Sequence, residues 1–160
     1  DTNLYGYVLN DPVNWVDLWG LKRFFTDGEH VGASNTIACN GYGGIKLHLG
    51  NPNNTKNSGG CTGMLSCIAQ HEGVHKSDAE KYEAETSQAL CKDNQGKNLP
   101  FNTQIEMDRE MTQISEINAY KDHIDCIDNL IATNSCPNLN LGPTLNYFNG
   151  ILKKYENGNF

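Results

Sequence analysis

The 160-residue chain has no lysine- or arginine-rich face: 12 basic residues stand against 19 acidic ones, giving a formal net charge of −7 and a pI near 5.1. Phosphate backbones repel such a chain, so no nucleic-acid partner is expected. Nor does it contain an apolar run of about 20 residues, the length a spanning helix needs, so no membrane span is expected. The first residues show no secretory leader pattern, and no internal repeat is visible. A CxxC pair is also missing, which argues against a zinc ribbon or a thioredoxin-like redox motif.

What is present is the run His71-Glu72-Gly73-Val74-His75. Side chains at i and i+4 share one face of a helix, so His71 and His75 can converge on a tetrahedral Zn²⁺. Glu72, pointing slightly away, is placed as a general base that takes a proton from the attacking water and passes it to a leaving amine. The motif lies in a helix-like run from Met64 to Leu90, where Leu65, Ile68, Ala69, Ala79 and Tyr82 form an intermittent apolar stripe. Gly73 costs about 1 kcal/mol relative to alanine in a helix interior. Its presence there suggests that a neighbouring segment packs closely against the helix.

Two histidines hold a metal poorly, so a third ligand is expected elsewhere. Downstream, Gln104 to Ala132 forms a second amphipathic helix, with Ile105, Met111, Ile114, Ile117, Tyr120, Ile124, Ile127 and Ile131 recurring every three or four positions. Glu116 borders this stripe, where a carboxylate needs a partner. The stretch Ser115-Glu116-Ile117-Asn118-Ala119-Tyr120 resembles the second helix of gluzincin-type metallopeptidases, and the resemblance implies that Glu116 is the third zinc ligand, in a His₂Glu set. Asp78 is the rival, on the same helical face as His71 and His75, although its short side chain is better placed to orient a ligand histidine. His123 can bind metal as well, or help Tyr120 hold a transition-state oxyanion. His30 and His48 are assigned no function.

The beginning of the chain has a different character. Residues Asn3-Leu4-Tyr5-Gly6-Tyr7-Val8-Leu9-Asn10-Asp11-Pro12-Val13-Asn14-Trp15-Val16-Asp17-Leu18-Trp19-Gly20-Leu21 resemble the end of the core domain of Rhs/YD-repeat proteins. In that family a β-shell encloses a variable C-terminal toxin and cuts itself after an Asp-Pro-x-Gly-Leu element. The resemblance implies a junction after Leu21, with Asp17, Gly20 and Leu21 in place and Leu18 where the family usually has proline. Residues 1–21 then form a remnant of the shell, and 22–160 a single domain of common size.

Within that domain, Thr36 to Cys39 and Gly44 to Leu49 read as short strands joined by the hairpin-like turn Asn40-Gly41-Tyr42-Gly43-Gly44. In the second strand Ile45, Leu47 and Leu49 alternate with Lys46 and His48, so the three apolar residues are expected to face the core. In a zincin-like site such a strand beside the metal helix binds the substrate backbone as an added strand, and Gly44 to Leu49 is the candidate. Lys92 to Asn102 separates the two long helices, and a short helix is expected from Thr144 to Tyr155. Six cysteines, Cys39, Cys61, Cys67, Cys91, Cys126 and Cys136, flank these helices. Up to three disulfides are expected, which would clamp the metal helix to its neighbours and let the domain survive outside the cytosol.

The expected architecture is α+β, a mainly helical, disulfide-stabilised zincin-like domain with a small antiparallel sheet. Together these features resemble the C-terminal metallopeptidase toxins of polymorphic Rhs systems. The resemblance implies zinc held by His71, His75 and Glu116, with Glu72 as general base and peptide-bond hydrolysis as the reaction. It further implies a protein substrate in a competing cell, a cognate immunity protein, and export with the parent Rhs shell by a specialised secretion machine. Two other readings remain open: cleavage of the peptide stems of cell-wall peptidoglycan by the same site, or a non-enzymatic domain that acts by binding a target.

Overall fold

The computed structural model describes residues 35–51, 54, 58, 60–105 and 107–159. The expected junction after Leu21, including Asp17, Leu18 and Gly20, lies outside these residues, as does His30. Among the described residues the chain forms an antiparallel pair, β1 (Asn35–Cys39) and β2 (Ile45–Leu49), followed by three helices: α1 (Thr62–Thr86), α2 (Arg109–Ala132) and α3 (Gly142–Glu156). The fold is thus α+β and mainly helical, and no described helix is long and apolar enough to cross a membrane.

The hairpin forms because Asn40 closes it. Its side-chain oxygen accepts from the backbone N–H of Tyr42 (2.8 Å) and Gly44 (3.0 Å), while Gly41 and Gly43 supply the positive φ values of 79° and 86° that the turn requires. The register pairs Ile37 with Leu47 and Cys39 with Ile45. Of the three residues expected to face the core, only Ile45 is buried; Leu47 and Leu49 are 36% and 44% exposed. The small cluster on this face gathers Ile37, Cys39, Ile45, Ala79, Cys91 and Ile105 around the turn end of the hairpin. It leaves the far end of β2 uncovered.

Each long helix differs at one end from its sequence pattern. The first stops at Thr86 rather than Leu90, because Ser87 turns into the left-handed region (φ 57°) and the Thr86 hydroxyl bonds back to the Tyr82 carbonyl at 2.7 Å. The second begins at Arg109 rather than Gln104, behind an Asp108 N-cap whose carboxylate accepts from the Met111 N–H at 2.8 Å. Residues 102–105 instead run along the outer edge of β1, with Cys39 N–H donating to the Thr103 carbonyl (2.8 Å) and Asn102 N–H to the Cys39 carbonyl (2.9 Å). Ile105 belongs to the sheet cluster, and its fit to the helical period is incidental. The third helix starts with Pro143 in its first turn and ends with Lys153 and Lys154, which complement the negative end of its dipole.

Most of the apolar core lies where the helices meet: Met64, Cys67, Tyr120, Ile124, Ile127, Leu130, Phe148 and Tyr155. All six cysteines pair, as Cys39–Cys91, Cys61–Cys136 and Cys67–Cys126. Two of these bridges tie α1 to α2 or to the turn that follows it. Close packing occurs at Gly63 rather than at Gly73: a Cβ on Gly63 would come within 2.5 Å of Leu130, whereas one on Gly73 meets no described atom within 4 Å.

Candidate metal centre

The α1–α2 pair is antiparallel, since Cys67 is bonded to Cys126 and His75 meets Ser115, so that rising numbers on one helix face falling numbers on the other. This arrangement carries the motif on α1 to the first half of α2. The Nε2 atoms of His71 and His75 lie 3.2 Å apart, and Glu116 Oε2 sits 3.9 Å from the first and 3.8 Å from the second. Among the described residues, His71, His75 and Glu116 form one group whose ligating atoms all lie within 4.8 Å of one another. Tetrahedral zinc with bonds of about 2.0–2.1 Å separates its donor atoms by about 3.3 Å. These three side chains therefore fit such an ion with movements of only tenths of an ångström.

The electrostatics match the geometry. Burial pushes the His71 pKa well below its ordinary value, reinforced by the neighbouring His75 and His123 and partly offset by the Ala119 backbone. Burial also lowers His75 to about 4, against the opposing pull of the Asp78 carboxylate, and lowers His123 to about 4. A neutral imidazole is the metal-binding form, so all three rings are held ready at neutral pH.

Asp78, the sequence's rival for the third position, lies outside the group; its carboxylate accepts from the Asn118 side chain at 3.3 Å. The residue that meets His75 is Ser115, whose hydroxyl lies 2.8 Å from Nδ1 with both side chains buried. Spacing gave no hint of it, because a serine inside a helix has many bland explanations. Glu72 is 2% exposed. It shares a helical stripe with Ile68 and Ala79, four residues before and seven after, and Ala79 packs in the sheet cluster. Glu72 therefore stands on the side of α1 that turns toward the hairpin.

No known protein family, curated protein or solved structure matches the chain. The site rests on its own geometry.

Tyr120 and His123 complete the surroundings. Both rings stand edge-on to His71, at centroid distances of 4.8 and 5.4 Å. Behind them α3 supplies Tyr155, stacked on Tyr120 at 5.7 Å, and Phe148, 4.5 Å from His123. The helix after the last cysteine thus forms the wall behind the two rings that pack on His71. His48, half-buried on β2, is not part of the group.

These buried neutral histidines have a consequence in acid. In the unfolded chain each titrates near 6.5, whereas His75 and His123 in the fold titrate near 4. The folded pKa is depressed, so below about pH 6.5 the unfolded state binds more protons and stability falls until about pH 4 is reached. Each tenfold change in proton affinity is worth about 1.4 kcal/mol, which makes the loss on the order of 3 kcal/mol per residue. Thermal melts of the metal-free domain should show this decline starting well above the range in which carboxylates titrate. A melting temperature that stays flat from about pH 7 to about pH 5 would contradict it.

Proposed function

We propose that the domain is a zinc-dependent hydrolase of peptide bonds, and that the observation carrying this reading is the buried convergence of His71, His75 and Glu116 from two cross-linked helices. A His₂Glu set is the composition of catalytic zinc in peptidases, where a fourth position is kept for water or substrate. Held by His71, His75 and Glu116, zinc would supply Lewis acidity at this position, making water a nucleophile near neutral pH and polarising a substrate carbonyl.

The chain's own groups do the rest. His71 and His75 offer neutral Nε2 atoms, and Glu116 supplies the negative charge that balances part of the cation. Glu72 accepts the proton of the attacking water and delivers it to the nitrogen released when the C–N bond breaks. Tyr120 and His123, both against His71, are the candidates for stabilising the developing oxyanion. Asp78 acts on His75 through its charge. The substrate chain lies along β2, which packs against α1.

The aromatic, Asn-Asp-Pro and Gly-Leu string at residues 3–21 supports the setting: a toxin released from an Rhs shell at Leu21, delivered by a specialised secretion system into a competing cell, and neutralised in its producer by an immunity protein. Its substrate is then a protein of that cell. A second reading, hydrolysis of peptidoglycan peptide stems, draws on the three disulfides, which persist in oxidising space outside the cytosol.

Metal content by mass spectrometry tests the core of the proposal. Wild type is expected to hold about one zinc per chain, and His71→Ala and Glu116→Ala to lose most of it, because a tetrahedral site with two protein ligands left binds far more weakly. A folded wild type that takes up no zinc when it is supplied would sink the peptidase reading. Loss in His71→Ala alone would move the third ligand to Asp78 or His123.

A further inference from the structure

We infer that Ser115 is the positioning residue that makes His75 a metal ligand, by accepting the Nδ1–H of its imidazole and so leaving the Nε2 lone pair aimed at the metal position. The inference rests on the metal reading above and adds to it a residue outside the ligand set.

The geometry that carries it is local and mutually constrained. His75 Nδ1 lies 2.8 Å from Ser115 Oγ, while the opposite nitrogen, Nε2, lies 3.2 Å from His71 Nε2 and 3.8 Å from Glu116 Oε2. An imidazole has one proton when neutral, and a hydroxyl close to Nδ1 can hold that proton there by accepting it. The Nε2 atom then has no proton and points its lone pair into the three-residue group. With the other tautomer, an N–H would face the position the metal must occupy. Ser115 is completely buried and His75 is 6% exposed, so water competes poorly for this bond.

Sequence position adds a second argument. Ser115 directly precedes Glu116, so a single turn of α2 presents to α1 both a metal ligand and the group that orients another ligand. Any shift of α2 along α1 moves the two together. Asp78, which spacing alone favours for this duty, is hydrogen-bonded to Asn118 at 3.3 Å, and its influence on His75 is through charge. An alanine at position 115 would keep the helix but leave the imidazole free to adopt either tautomer and its buried N–H unsatisfied. Groups that orient metal-bound histidines in this way typically account for about 10–100-fold in metal affinity.

The test is zinc affinity by competition with a chromophoric chelator for wild type, Ser115→Ala and Ser115→Thr, with a metal-free melt of each. Affinity lower by about 10–100-fold in Ser115→Ala, regained at least in part by the hydroxyl of Ser115→Thr, with a cooperative metal-free melt that shows Ser115→Ala still folded, is the expected result. Equal affinity in wild type and Ser115→Ala would overturn the assignment while leaving the metal site standing. A wild type that binds no zinc would remove the metal reading itself, and this one with it. Should Ser115→Ala fail to fold, ¹H–¹⁵N spectra of zinc-loaded wild type decide: a slowly exchanging proton on His75 Nδ1 supports the role, and an unprotonated Nδ1 overturns it.

Discussion

Glu72→Gln is expected to abolish hydrolysis while leaving fold and metal in place. The substitution keeps the shape of a side chain that is 2% exposed, and so opens no cavity. It also leaves His71, His75 and Glu116, the group that would hold zinc, untouched. What it removes is a base. Glutamine accepts no proton from water, and the loss of a positioned general base typically costs about 10²–10⁴ in rate. Assayed on a protein or peptide mixture cleaved by wild type, the variant should therefore retain about one zinc per chain and lose nearly all turnover. Variants that retain their zinc and also their toxicity in target cells would point to a domain that acts by binding, the non-enzymatic alternative. A variant that loses zinc as well would show that Glu72 is itself held in the metal site.

How much of this was legible beforehand follows the range of each interaction. The spacing of His71 and His75 is a property of one helix, and a helix of sufficient length delivers it whatever else the chain does. The hairpin was equally local, fixed by Asn40 and two glycines. Glu116 needed more than spacing, because nothing in either helix alone says which turn of α2 meets which turn of α1; a resemblance to the second helix of gluzincins pointed to it. Ser115 and Asp78 show where such reasoning stops. On a helical wheel Asp78 lies beside both histidines, yet its hydrogen bond goes to Asn118, and the orienting contact comes from a residue on another element.

The misplaced boundaries have the same origin. Ile105 continues the apolar period of α2 but is used by β1, which draws residues 102–105 into strand pairing. Leu47 and Leu49 alternate as a buried strand should, yet the cluster on that face centres on the turn end of the sheet. Periodicity reports which residues would be comfortable inside. It does not say how much of the sheet a neighbouring helix covers.

Reduction of the three disulfides should have the other large effect, and its outcome separates the two hydrolytic readings. The bridges span sequence separations of 52, 75 and 59 residues. Cross-links over loops of this size contribute about 2–5 kcal/mol each, chiefly by restricting the unfolded chain. A domain's total stability is about 5–15 kcal/mol. Removing all three is therefore expected to unfold the metal-free domain at about 37 °C, a result read directly from circular dichroism before and after treatment with a thiol reductant. The Cys67–Cys126 bridge matters beyond stability, because it pins α1 to α2 one helical turn before His71. Without it the two helices that carry His71, His75 and Glu116 can separate, and zinc affinity should fall together with the melting temperature. A domain with this dependence acts best in an oxidising compartment, which favours a substrate outside the cytosol, such as cell-wall peptide stems. If instead the reduced, zinc-loaded protein melts within a few degrees of the oxidised form, metal binding alone holds α1 against α2, and a protein substrate in the reducing cytosol becomes the better match.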